Sequence, residues 1–200
     1  PLTLSTNSKL SQDSMIEETP LPGVFRIVPP RFGDERGFFS ESWNSKKLRD
    51  AGLDLPDFVQ DNHSMSVEPG TLRGLHFQVP PHAQAKLVRC GRGAFMDVVA
   101  DIRHGSPTFG RWLGVDLSFQ NGRQLLVPEG FLHGFVTRQP ETEIIYKCSD
   151  YYAPDCDATV RYDDPDLAID WGLDGPPILS DKDADAPRLR DLPAYFTWEG

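Results

Sequence analysis

Pro69-Gly70-Thr71-Leu72-Arg73-Gly74-Leu75-His76-Phe77-Gln78, followed after a Pro-Pro break by Lys86-Leu87-Val88-Arg89-Cys90, is the stretch on which the fold turns. Both runs are short, and Pro and Gly punctuate them, which predicts strands rather than helices. Strand alternation puts His76 and Gln78 on one face of the first run, and Lys86, Val88 and Cys90 on one face of the second. If those faces coincide, a histidine and a lysine project from the same sheet. The charge pattern is local as well. The chain holds 30 Asp and Glu against 20 Lys and Arg, yet no carboxylate falls between Pro69 and Met96, where Arg73, Lys86, Arg89 and Arg92 all lie. A positive field inside an acidic chain suits either an anionic ligand or a basic surface face.

Outward from this stretch the same texture continues. Short extended segments are expected at residues 23–28, 38–43, 58–63, 94–102, 112–119, 124–127, 133–137 and 143–148, with Gly and Pro clusters between them. In 112–119, Leu113, Val115, Leu117 and Phe119 alternate with Trp112, Gly114, Asp116 and Ser118, the mark of a one-faced strand. Residues 31–37 read as a loop. Asn44 can cap a short helix carrying Leu48 and Ala51, stopped by Gly52. Ser180-Asp181-Lys182-Asp183 has the form of a capping box opening a last short helix. Many short strands and few helices predict an all-β jelly-roll barrel or sandwich with a few short peripheral helices. Residues 1–19 read as a loose arm and 20–200 as one domain.

Composition excludes several classes. Two hundred residues suit one domain. The net charge of −10 disfavours nucleic-acid and anionic-membrane partners, which need a broad basic surface. No apolar run approaches a membrane span, and the first residues lack the regions of a secretory signal. Cys90, Cys148 and Cys156 form no CxxC pair, so free thiols in a reducing cytoplasm are expected.

From Gly122 to His133 the spacing is G-x5-P-x-G-x2-H, which resembles the second motif of the cupin superfamily, small barrels with a site inside. Gly70 to His76 matches the first motif in part, but Gln78 stands where the second His would be and no Glu lies between Gln78 and Gly93. Two histidines are few for a divalent cation, so no metal is expected. Segments 72–78, 84–89, 106–110, 127–135 and 179–183 together resemble the dTDP-4-dehydrorhamnose 3,5-epimerases, in family order and over about Gly23 to Asp183. That resemblance implies a cofactor-free jelly roll and a homodimer with strands exchanged between subunits. It implies inversion of C3 and C5 of a dTDP-4-keto-6-deoxyglucose.

Inverting a carbon beside a ketone requires a base, a group that holds the enolate charge, and an acid on the far face. The resemblance implies His76 as the base; an imidazole, with a reference pKa of about 6.5, suits the task near neutrality. It implies Asp183 as the carboxylate orienting that ring, although Asp183 also fits the third position of the capping box. It implies Lys86 beside the C4 oxygen, and Tyr146 as the acid, where a core tyrosine would fit the strand equally. Substrate binding carries over to Arg36, Glu41, Gln60, Asp61, Asn62, Arg73, Lys86, His133, Asp157 and Lys182. Phe32 and Tyr152 are candidates to stack on the thymine. Asp157 stands where the family often has Glu. Strict alternation puts Arg73 on the opposite face from His76, so both reach one pocket only if the strand bulges near Gly74. The rivals are a single-carbon epimerase or ketoisomerase, a metal-dependent cupin, and a sugar-binding module without catalysis.

Overall fold

The computed structural model describes residues 15–200. In chain order the strands are β1 (Ile16–Glu18), β2 (Phe25–Ile27), β3 (Phe32–Asp34), β4 (Gly37–Phe39), β5 (Gln60–Ser66), β6 (Leu72–Gln78) and β7 (Lys86–Arg92). There follow β8 (Ala94–Asp101), β9 (Arg103–His104), β10 (Trp112–Ser118), β11 (Gln124–Val127), β12 (Phe131–Thr137), β13 (Thr142–Cys148), β14 (Asp157–Thr159) and β15 (Phe196–Thr197). Two short α-helices, α1 (Ser45–Asp50) and α2 (Asp181–Ala184), lie at the periphery. No helix among the described residues is long and apolar enough to cross a membrane.

Two antiparallel sheets carry the architecture, in the orders β1-β2-β11-β7-β13-β5 and β10-β8-β12-β6-β14. Alternation along each strand decides what lies between them. Val88 and Ile144 from the first sheet meet Phe95, Val99, Leu117, Phe131 and Phe135 from the second in one buried cluster. Each such side chain withdrawn from water contributes about 1.5–3 kcal/mol, which is what fastens the sheets face to face. The outer face of the second sheet is covered by the chain after β14, through Val160, Leu167 and Trp171. The outer face of the first is covered by Leu48 of α1 with Leu53 and Leu55.

Asn44 caps α1, its Oδ1 accepting from the Lys47 N–H at 3.0 Å, and Gly52 follows with φ +98°. Three segments depart from the sequence expectations. β1 occupies part of the stretch read as a loose arm, pairing Ile16 with Ile27; the rest of that arm, 1–14, lies outside the described residues. The loop expected at 31–37 is instead a hairpin, β3–β4, where Gly37 at φ +130° turns a polar tip. β14 adds an edge strand to the second sheet in a segment expected only to wrap it.

The bulge near Gly74 is present. β12 pairs His133 with His76 and Phe135 with Arg73, so Gly74 and Leu75 together oppose Gly134. The extra residue turns Arg73 onto the same face as His76, while Leu72, Leu75 and Phe77 take the other. Only glycine fits there: a Cβ on Gly74 would lie 2.6 Å from Gly134 Cα, at a φ of +136°.

Candidate active site

At one open end of the sandwich the apolar filling gives way to a polar cavity of about 530 Å³, within the usual range for small-molecule sites. His76 and Gln78 enter it from β6, Lys86 from β7, Tyr146 from β13, Gln60 and Asn62 from β5, Asp157 from β14 and Lys182 from α2. His76 and Lys86 therefore share a cavity without sharing a sheet. The expectation that both project from one sheet is corrected: β6 belongs to the five-stranded layer and β7 to the six-stranded one. Parity of a strand position fixes its face, but not which layer the strand joins.

His76 Nε2 lies 2.5 Å from Asp183 Oδ1, while Asp183 Oδ2 accepts from the Gly74 N–H at 3.3 Å. The buried carboxylate thus holds the Nε2 proton, which leaves Nδ1 of the neutral ring with its lone pair free. Burial pushes the Asp183 carboxyl up, but the hydrogen bonds from His76, Gly74 and Ser180 outweigh it and hold the group below its ordinary value. The capping role open at the sequence level is also filled, since the Asp183 N–H donates to Ser180 Oγ at 3.2 Å. Backbone serves the cap while the side chain serves the histidine.

Across the cavity, burial and the neighbouring Cys148 thiol push the Tyr146 phenol above its usual range, so it keeps its proton. The Asn62 amide sits beside that hydroxyl. Burial pulls the Lys86 ammonium below the ordinary lysine value, opposed by the carboxylates of Asp97 and Asp157 and by the nearby Cys148. No hydrogen bond or ion pair ties Lys86 Nζ to another described side chain.

The remaining candidates divide. Gln60 and Asn62 line the cavity, whereas Asp61, between them, points to the opposite face and pairs with Lys147 at 3.0 Å. Lys182 forms a short ion pair with Asp157, and Tyr152 lines the same wall. Arg73 approaches Ser66 Oγ and Met65 O at 3.4 Å, near enough for its charge to act on Tyr146. Arg36 sits on the exposed β3–β4 hairpin paired with Asp34, and Glu41 pairs with Lys47; neither lines the cavity of its own chain. His133 is buried and does not line the cavity, its Nε2 2.7 Å from Asp97 Oδ1.

Sequence reasoning missed two features. Gln78 and Gln84 use their amides as clamps: Gln78 Nε2 donates to His82 O at 2.6 Å and Gln84 Nε2 to Asp150 O at 2.8 Å, fixing the segment behind Tyr151. Asp97 was passed over, although a lone acid in the apolar run Ala94-Phe95-Met96-Asp97-Val98-Val99 was a signal of a buried polar role. Among the described residues, no three His, Cys, Asp or Glu side chains gather as a metal site.

Comparison with known proteins gives a consistent result. A family model described as dTDP-4-dehydrorhamnose 3,5-epimerase matches residues 18–191. The enzyme of that name from Sinorhizobium fredii is 48% identical over 176 residues, covering 86% of this chain and 88% of the relative. The crystal structure of the dTDP-6-deoxy-D-glucose-3,5-epimerase of Legionella pneumophila, in complex with dTDP-4-keto-L-rhamnose, superposes with a TM-score of 0.88 at 43% identity, over 92% of this chain and 98% of that one. The Bacillus anthracis dTDP-4-dehydrorhamnose 3,5-epimerase, with TDP and PPi bound, gives 0.84 at 50% identity, over 87% and 98%.

Proposed function

The chain belongs to the dTDP-4-dehydrorhamnose 3,5-epimerase family, and on that footing we propose that His76, Asp183, Lys86 and Tyr146 carry the inversion of C3 and C5 in a dTDP-4-keto-6-deoxyglucose. One observation carries the reading: an imidazole from one sheet and a phenol from the facing sheet open on a single cavity that a buried ammonium also lines.

Each step uses a group already described. His76 removes the proton on the carbon beside the ketone, and the C–H electrons move into the C4 oxygen to give an enolate. Asp183 keeps the ring oriented and steadies the imidazolium that results. Lys86, held in surroundings drier than water, stabilises the enolate oxygen. Tyr146 then delivers its proton from the opposite face, and both groups exchange with solvent before the second carbon reacts. Arg73 and Lys182 supply positive charge for the diphosphate. Asp157 serves by holding Lys182.

Incubation with dTDP-4-keto-6-deoxyglucose, read by NMR, should give product inverted at both carbons. Inversion at only one would replace this reading with a single-carbon epimerase; no turnover at all would favour a binding module.

The same reading includes a homodimer, supported by what the lone chain leaves unused. Hairpin β3–β4 joins neither large sheet, exposes Phe32 and Phe39 at 65% and 68%, and carries Arg36 away from its own cavity. Such a projection is suited to a second copy, where Arg36 and a phenylalanine would meet the partner's nucleotide. Sedimentation should return twice the 22.4 kDa chain mass, and a monomer at assay concentration would refute this part. Three free cysteines support a reducing, cytoplasmic setting.

A further inference from the structure

Gln78 stands where the cupin spacing would put a second metal-ligating histidine, and the reaction above leaves it unused. It lies two residues beyond His76 on the same face of β6, and it is only 4% exposed. Its amide is fully committed to backbone. Nε2 donates to His82 O at 2.6 Å and to Tyr151 O at 3.2 Å, and Oε1 accepts from the Ala153 N–H at 2.8 Å. Gln78 lines the cavity, yet it has no donor left for a substrate.

The partners on the second loop bracket Tyr152. The Tyr151 carbonyl belongs to the peptide unit before Tyr152, and the Ala153 N–H to the one after it. Gln60 Oε1 adds a further bond, accepting from the Tyr152 N–H at 3.0 Å. Two fixed peptide planes fix φ and ψ of the residue between them, and with them the direction in which its side chain leaves the backbone. Gln84 and Ser149 fasten this loop only further back, through Asp150 O and the Ala85 N–H. The ring so aimed is left 58% exposed on the cavity wall, its hydroxyl 3.5 Å from Asp157 Oδ2. An immobilised backbone that presents an open aromatic face suits stacking on the flat base of a nucleotide.

We propose that Gln78 is a positioning residue for nucleotide binding. Its amide sets the Tyr152 ring in place before the ligand arrives, so that stacking requires no further ordering of the chain. This rests on the epimerase reading, which supplies the nucleotide.

A double-mutant cycle on dTDP binding, measured by calorimetry, tests it with the wild type, Gln78→Met, Tyr152→Ala and the doubly substituted protein. Methionine keeps the length of glutamine and deletes all three bonds. Gln78→Met is expected to raise the Kd about tenfold, the size of one lost base–aromatic stack. KM should rise by a similar factor, with kcat moving about twofold at most. In the Tyr152→Ala background the same substitution should cost about twofold or less, because the ring it positions is gone. The Ala153 amide should exchange slowly with deuterated water in the ligand-free wild type and fast in Gln78→Met. An unmoved Kd in folded Gln78→Met would overturn the proposal. So would a loss that persists in full without the Tyr152 ring, which marks a structural role, or an unprotected Ala153 amide in the ligand-free wild type. Should Gln78→Met not fold, the isosteric Gln78→Glu takes its place in the cycle, with the same expected and the same overturning results. A wild type that binds no dTDP would strike the epimerase reading itself, so the two failures are distinct.

Discussion

His76→Asn is expected to lower kcat by about 10³-fold, the middle of the span for a positioned general base. It should also abolish exchange of the sugar's C3 and C5 hydrogens with deuterated water. Asparagine is the instructive replacement because it has no basic nitrogen, while the Gly74 N–H remains as a partner for the buried Asp183 carboxylate. The fold should therefore survive with only a small change in unfolding midpoint, and KM should move far less than kcat. A ring present only to satisfy Asp183 would give the reverse, lost stability with retained exchange. Wild-type exchange rates in this variant would remove His76 from the mechanism.

Tyr146→Phe separates the two halves of the reaction. The aromatic ring packs against the buried cluster of Val88 and Ile144, and phenylalanine keeps that contact while deleting the hydroxyl. Proton removal by His76 should continue, so deuterium still enters at C3 and C5. Completed inversion at C5 should fall about 10²-fold, because the far face has lost its proton donor. The sign of the pH dependence follows from burial. The phenol is held above its usual range, so it remains a proton donor through neutrality. Equal loss of exchange and inversion would mean that Tyr146 does something other than deliver the second proton.

Much of this arrangement was legible in the chain, and the reasons differ by feature. Asn44 before a helix, and Ser180 three residues before Asp183, are local signals, and both helices start where those residues stand. The bulge at Gly74 was reachable because alternation forbade Arg73 and His76 from sharing a face in a regular strand. Asp183 carries two chemistries at once, one through its N–H and one through its carboxylate, and a spacing rule can register only the first. Long-range placement was less accessible. Nothing local says that β6 and β7 join different layers, since only seven residues, 79–85, separate them. Hairpin β3–β4 was hidden by its Gly, Asp and Arg composition, which suits an exposed ribbon as well as a loop. Asp61 was grouped with Gln60 and Asn62 although alternation alone assigns it to the outer face, as its bond to Lys147 bears out.

The central claim is geometric, and a crystal structure of this protein with a dTDP-hexose bound tests it most directly. The account predicts the hexose ring between His76 on one side and Tyr146 on the other, with the ketone oxygen at Lys86 Nζ. A sugar seated outside that cavity, or both side chains on the same face of the ring, would contradict it.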